Sequence, residues 1–115
     1  MLVNASVAAS TGNQYYRLVD RDLRFVWDSV KEAANELKHG VTFVGATAIF
    51  NDPNLIEEDV TRPEFGERRF KAIGRAGATV LAVIYTDREQ RRRIISARRA
   101  SKHEREQYRQ SAETV

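Results

Sequence analysis

Apolar and polar positions change period several times along this chain, and each change marks an element. Leu23 to Trp27, LRFVW, is a β-branched and aromatic run that predicts a first strand. Val30, Ala33, Ala34 and Leu37 then recur at i, i+3, i+4 and i+7, one apolar face of a helix. Asp28 or Ser29 is placed to cap that helix, and Ser29 with Glu32 fits an S-x-x-E capping box. Gly40 stops it, because glycine takes a left-handed backbone without a Cβ clash. Thr42 is positioned to cap a second, shorter helix with Phe43, Ala46, Ile49 and Phe50 on its inner side. Pro53 ends that helix by disfavouring helical geometry in the residue before it.

The remainder alternates as strands do. Residues 54–60 carry Glu57, Glu58 and Asp59, charges that suit an edge strand. A Pro- and Gly-containing loop over 61–66 leads to a strand over 67–75. There Arg69, Lys71, Ile73 and Arg75 point one way, and Arg68, Phe70, Ala72 and Gly74 the other. Residues 79–87, TVLAVIYTD, are nearly all apolar and predict a central strand covered on both faces. A turn at 87–90 leads to the last strand over 91–97. Ser101 with Glu104 offers a capping box for a closing helix through about Gln110. The expected architecture is α+β in the order β-α-α-β-β-β-β-α. Its last four strands form an antiparallel meander, with helices packed mainly on one face.

At 115 residues the chain fits one domain, and its 42% hydrophobic content supplies a core. The domain is placed at 23–110. Residues 1–22 are expected to be a partly flexible tail, loose over 1–14, and residues 111–115 a frayed end. The opening MLVNASVAAS lacks a positive start and is broken by Asn4 and Ser6, which argues against a signal peptide. No apolar run approaches the roughly 20 residues that cross a bilayer. The chain has no cysteine, which excludes disulfides and thiolate chemistry and fits a cytoplasmic setting. His39 and His103 are the two histidines, with no companion ligands at metal-binding spacing, so neither metal nor cofactor is expected.

Charge adds a direction. From Glu67 onward there are 13 Lys or Arg against 6 Asp or Glu, whereas the preceding residues have 6 against 10. The basic half is also the half with the best strand patterns. Its cations should therefore sit at fixed positions, which suits a polyanion such as RNA. Arg69, Lys71 and Arg75 leave one strand face at intervals of roughly 6.5–7 Å, close to the spacing of successive phosphates. A solvated sheet face is the plainer reading of the same charges, and Ile73 among them argues that part of the face is covered.

Other candidates each carry two readings. His39 and Lys38 end a helix, where a cation complements the dipole, yet imidazole also suits proton transfer near neutral pH. Tyr85 ends a buried strand and either completes the core or exchanges a proton. Arg98 has a fork suited to phosphate or to a carboxylate. Arg91, Arg92 and Arg93 serve alternate faces, so at most two meet one ligand, either RNA or an acidic partner. Phe25 and Trp27 read as core, with stacking on a base as the alternative for Trp27.

In order along the chain stand Phe25-x-Trp27-Asp28, Asn35-x-x-Lys38-His39-Gly40-Val41-x-Phe43 and Phe50-x-Asp52-Pro53. Then come Glu67-x-Arg69-Phe70, Ile73-Gly74, Tyr85-Thr86, Arg93-Ile94-Ile95-Ser96-Ala97-Arg98 and Glu104-x-x-x-Tyr108. In these pieces the chain resembles the BrnT toxins of bacterial type II toxin–antitoxin systems. It departs from them in a longer segment before Leu23 and in Gly45, where an acidic residue is common. The resemblance implies a RelE-like ribonuclease fold and an RNA-cleaving toxin. It also implies a BrnA-like antitoxin, stored with the toxin in a hetero-oligomer and alone carrying the contact with DNA. On that basis Arg69, Arg75 and Arg98 are expected to hold phosphate, His39, Lys38 and Tyr85 to be candidates for proton transfer, and Lys71, Arg91 and Arg93 to bind RNA. A non-catalytic binding module within a repressor complex is the alternative, since no paired acid and base stand out.

Overall fold

The computed structural model describes residues 13–17 and 24–113, and the side chains of residues 24–113. The elements are β1 (Asn13–Arg17), β2 (Arg24–Asp28), α1 (Ser29–His39), α2 (Phe43–Ala46) continued by a 3₁₀ turn (Thr47–Asn51), and β3 (Ile56–Asp59). They continue with a 3₁₀ turn (Pro63–Phe65), β4 (Phe70–Ala76), β5 (Thr79–Arg88), β6 (Arg91–Arg99) and α3 (Lys102–Glu113). The fold is α+β, and the expected order is present with one addition, β1. That strand lies in the stretch read as a tail and pairs antiparallel with β2, Asn13 opposite Asp28 and Arg17 opposite Arg24. Residues 1–12, 18–23 and 114–115 lie outside the described residues.

The sheet runs β1-β2-β6-β5-β4-β3. Strands β3 to β6 are the expected antiparallel meander, with acidic β3 at the edge. Strand β2 joins β6 in parallel over three pairs, ending at Val26 opposite Arg93. A bulge in β6 falls between Ile84 and Tyr85 of β5.

The larger core lies on one face of the sheet. Phe43, Ala46, Ile49 and Phe50 from α2 and its 3₁₀ turn pack on Phe25, Trp27, Ala72, Leu81, Val83, Tyr85, Ile94 and Ala97. All four predicted inner residues of the second helix are buried. The Thr42 hydroxyl caps it by accepting from the Gly45 amide at 3.0 Å. Gly74 lets the 3₁₀ turn lie directly on β4. A Cβ there would stand 2.9 Å from Leu55 Cδ1 and 3.0 Å from Ile49 Cβ. The opposite face carries a smaller cluster of Ile73, Ala82 and Tyr108, which seats α3.

Two expectations about α1 need correction. Asp28 is its N-cap, accepting from the Val30 amide at 2.8 Å. Glu32 does not close a capping box with Ser29 but accepts from the Phe43 and Val44 amides, at 3.0 and 3.3 Å. The helix is also turned over. Val30, Ala33, Ala34 and Leu37 face solvent, and Asn35 is the buried residue. The reason is a hydrogen-bonding demand on β6. Beyond Arg93, that strand has no β2 residue beside it. Asn35 takes the place of a neighbouring strand, donating to the Ala97 carbonyl at 2.7 Å and accepting from the Ala97 amide at 3.2 Å. Its amide nitrogen also donates to the Val41 carbonyl at 3.0 Å. A buried backbone pair without partners costs more than an exposed leucine.

Candidate RNA-facing site

Strand alternation places Lys71, Ile73 and Arg75 of β4 on the α3 side of the sheet, with Ala82, Ile84 and Thr86 of β5 and Arg93, Ser96 and Arg98 of β6. One end of this face is closed by α3. Glu104 opens that helix with the predicted capping box, its carboxylate accepting from the Ser101 amide at 2.8 Å while the Ser101 hydroxyl accepts from the Glu104 amide. The same buried carboxylate gathers two of the nominated cations. Arg98 donates to both of its oxygens at 2.7 and 2.9 Å, and Lys71 to one at 2.8 Å. The Arg98 fork, then the loss of water and the Lys71 ammonium, act on Glu104, and the net effect holds its carboxyl far below the ordinary range. Arg75 lies at the far end, its guanidinium 5.8 Å from the Tyr108 ring centre. Asp52 ties α3 down, accepting from the Tyr108 hydroxyl at 2.6 Å and the Arg75 amide at 2.8 Å.

The other end is open. The turn Pro63–Phe65 stands beside two clefts of about 630 and 640 Å³. The first is lined by Arg68, Arg88, Arg91 and Arg93 together with Thr86 and the carboxylates Glu67, Asp87 and Glu89. The second is lined by Arg62, Phe65 and Arg69 with Ile84, Ile95 and Ser96, and by the carboxylates Glu58 and Asp59. Glu67 joins them. Its carboxylate accepts from Arg69 Nε at 3.0 Å and from an Arg93 terminal nitrogen at 3.0 and 3.1 Å. The Arg69 guanidinium also stacks on Phe65, 4.2 Å from the ring centre. Burial pushes the Glu67 pKa up, but the Arg69 hydrogen bond and the two guanidinium charges outweigh it and hold the group ionised.

The other candidates lie elsewhere. Tyr85 is buried on the core face, stacked on Phe70, with its hydroxyl donating to Glu57. The Arg92 guanidinium lies 4.1 Å from the Tyr85 ring centre and 4.9 Å from that of Phe50, and bonds Asp87 at 2.8 Å. Burial and the Glu57 carboxylate push the Tyr85 phenol well above its usual pKa, so it is a donor rather than a base at neutral pH. Lys38 is exposed and His39 half-buried at the end of α1, and neither lines the two clefts. Trp27 is buried in the core, so its ring offers no stacking surface.

Two of the nominated residues, Arg69 and Arg93, are therefore held together at the clefts, and two more, Arg98 and Lys71, meet under α3. Glu67 was quoted in a motif but not singled out as a site residue. The signal available was a glutamate two residues before an arginine at the start of a strand, where both side chains leave the same side. Among the described residues no three His, Asp or Glu gather as a metal-holding group, and no helix is long and apolar enough to cross a membrane. A family model described as the ribonuclease toxin, BrnT, of type II toxin–antitoxin systems matches residues 27–104. No curated protein matches the chain.

Proposed function

This chain belongs to the BrnT family of ribonuclease toxins of type II toxin–antitoxin systems, and from that membership we propose that it cuts RNA without a metal ion at the Arg69–Glu67–Arg93 unit. The observation that carries the reading is one ionised carboxylate held between two guanidiniums, of which Arg93 lines one cleft and Arg69 the other. Guanidinium forks match phosphate oxygens and stabilise the charge that builds on phosphorus. Glu67 accepts the proton of a ribose 2′-hydroxyl. The 2′-oxygen then attacks phosphorus, the bond to the 5′-oxygen breaks, and the leaving oxygen takes a proton from water. The products are a 2′,3′-cyclic phosphate and a 5′-hydroxyl. A phosphate drawing Arg69 and Arg93 onto its own oxygens relaxes their hold on Glu67 and makes it a stronger base at the moment it is needed. A RelE-type relationship of the fold, a BrnA-like antitoxin as the partner that meets DNA, and action in the cytoplasm complete the proposal.

A second reading, a non-catalytic module within a repressor complex, draws on a specific observation. Arg69, Arg93, Arg98 and Lys71 each have a carboxylate partner within this chain. One experiment separates the two. Purified chain is incubated with bulk RNA in excess EDTA beside Arg69→Ala and Glu67→Gln. Cleavage to cyclic-phosphate ends by the parent, reduced about 10²–10³-fold in each variant, is expected. Equal cleavage by all three removes this face from the mechanism. Intact RNA together with unimpaired growth on induced expression favours the module.

A further inference from the structure

The outward face of α1 is the feature that catalysis leaves unused. Leu37 is 82% exposed, Val30 74% and Val44, beside the helix, 45%. Val30, Ala33, Ala34 and Leu37 span an arc of about 100°, the width of stripe that helices ordinarily bury. The helix cannot roll to hide it. Asn35 is fixed to Ala97 and Val41, and Glu32 to the amides of Phe43 and Val44. Lys31 and Lys38, two turns apart and both exposed, line one border of the stripe. Glu36 lies on the other border.

We infer that this stripe is the docking surface for an amphipathic helix of the antitoxin, its apolar side on Val30 and Leu37 and an acidic border against Lys31 and Lys38. The inference rests on the reading of the chain as a toxin with a protein partner. Two lysines along one border favour an acidic occupant. A second copy of α1 packed antiparallel brings its Lys31 and Lys38 against the same residues of the first, whereas an acidic helix meets them with opposite charge. Helix α1 lies beside β6, and none of its residues lines the Arg69 or Arg93 clefts. Affinity for the antitoxin and cleavage of RNA are therefore separable in this molecule.

The test is titration calorimetry of the purified cognate antitoxin into the full chain, with Leu37→Glu, Val30→Glu and Lys31→Glu. These residues are exposed, so each variant should keep the parent's circular dichroism and unfolding midpoint. Leu37→Glu and Val30→Glu should each weaken binding about 100-fold, and Lys31→Glu about tenfold with a reduced salt dependence. Leu37→Glu should still cleave RNA at the parent rate. Parent-like affinity in both glutamate variants of the stripe overturns the inference. So does a free chain that is dimeric by light scattering and made monomeric by Leu37→Glu, which assigns the stripe to a second copy. A parent chain that does not bind the antitoxin at all overturns the pairing beneath the inference as well.

Discussion

Replacing Asn35 by alanine should be the most damaging small change on the surface-facing layers of this protein. The side chain is the lateral partner of β6 at Ala97, donating at 2.7 Å to its carbonyl and accepting at 3.2 Å from its amide. Ala97 is fully buried, so water does not readily replace the amide. Stranding a buried backbone donor and acceptor costs about 1–3 kcal/mol each. Alanine recovers roughly 0.5 kcal/mol through its better helix propensity. The net expectation is a loss of about 2–5 kcal/mol, a large share of the roughly 5–15 kcal/mol that holds a domain together. Urea unfolding followed by circular dichroism reads this as a lower midpoint at unchanged slope. Glu36→Ala, one residue along and exposed, is the control and should stay within about 0.5 kcal/mol. An Asn35→Ala midpoint equivalent to less than about 1 kcal/mol would refute the idea that this amide substitutes for a strand. It would also remove the reason given for the turned-over helix.

Two further outcomes are expected. Glu104 has its pKa depressed on folding by Arg98 and Lys71, so its contribution is full above the ordinary glutamate pKa and falls away as pH drops below about 4.3 towards the folded value. Acid unfolding of Glu104→Gln, followed by fluorescence, should therefore show a flatter limb in that window from a lower starting stability, and an unchanged limb would contradict the assignment. Glu89 and Gln90 form the two-residue β5–β6 turn with φ of 53° and 65°, a geometry that suits Asn-Gly. The double replacement Glu89→Asn, Gln90→Gly should raise stability by about 1–2 kcal/mol, and a lower thermal midpoint would count against it.

Element boundaries were legible where local chemistry decides them. Gly40 takes its left-handed turn, Thr42 caps α2, the acidic strand lies at the edge, and Ser101 with Glu104 closes a capping box. The glycine stop and the two caps depend on residues within about four positions of each other. The orientation of α1 was not legible, although its periodicity was clear. An i, i+3, i+4, i+7 pattern states that a stripe exists and not which side of it meets the protein. Here the deciding contact is Asn35 with Ala97, 62 residues away. The parallel entry of β2 beside β6, Arg24 opposite Arg91, is likewise a long-range matter that strand patterns do not encode.

The charge asymmetry of the chain pointed to one face, and the structure shares four of its cations between two carboxylates. Counting Lys and Arg treats every cation as available, yet a cation's availability is set by the nearest carboxylate in space. Glu104, 33 residues from Lys71, holds both Lys71 and Arg98 in its buried grip. That carboxylate also closes the capping box of α3. Glu67 is different. It holds Arg69 and Arg93, which each line a cleft, and on the proposed mechanism a phosphate takes these two forks without unseating an element. Two carboxylates that each bridge a pair of cations thus divide one basic face, and on the proposed mechanism the Glu67 half is the one that does chemistry. The division predicts that Glu104→Gln reports in stability and Glu67→Gln in cleavage. The reverse result would exchange the two halves.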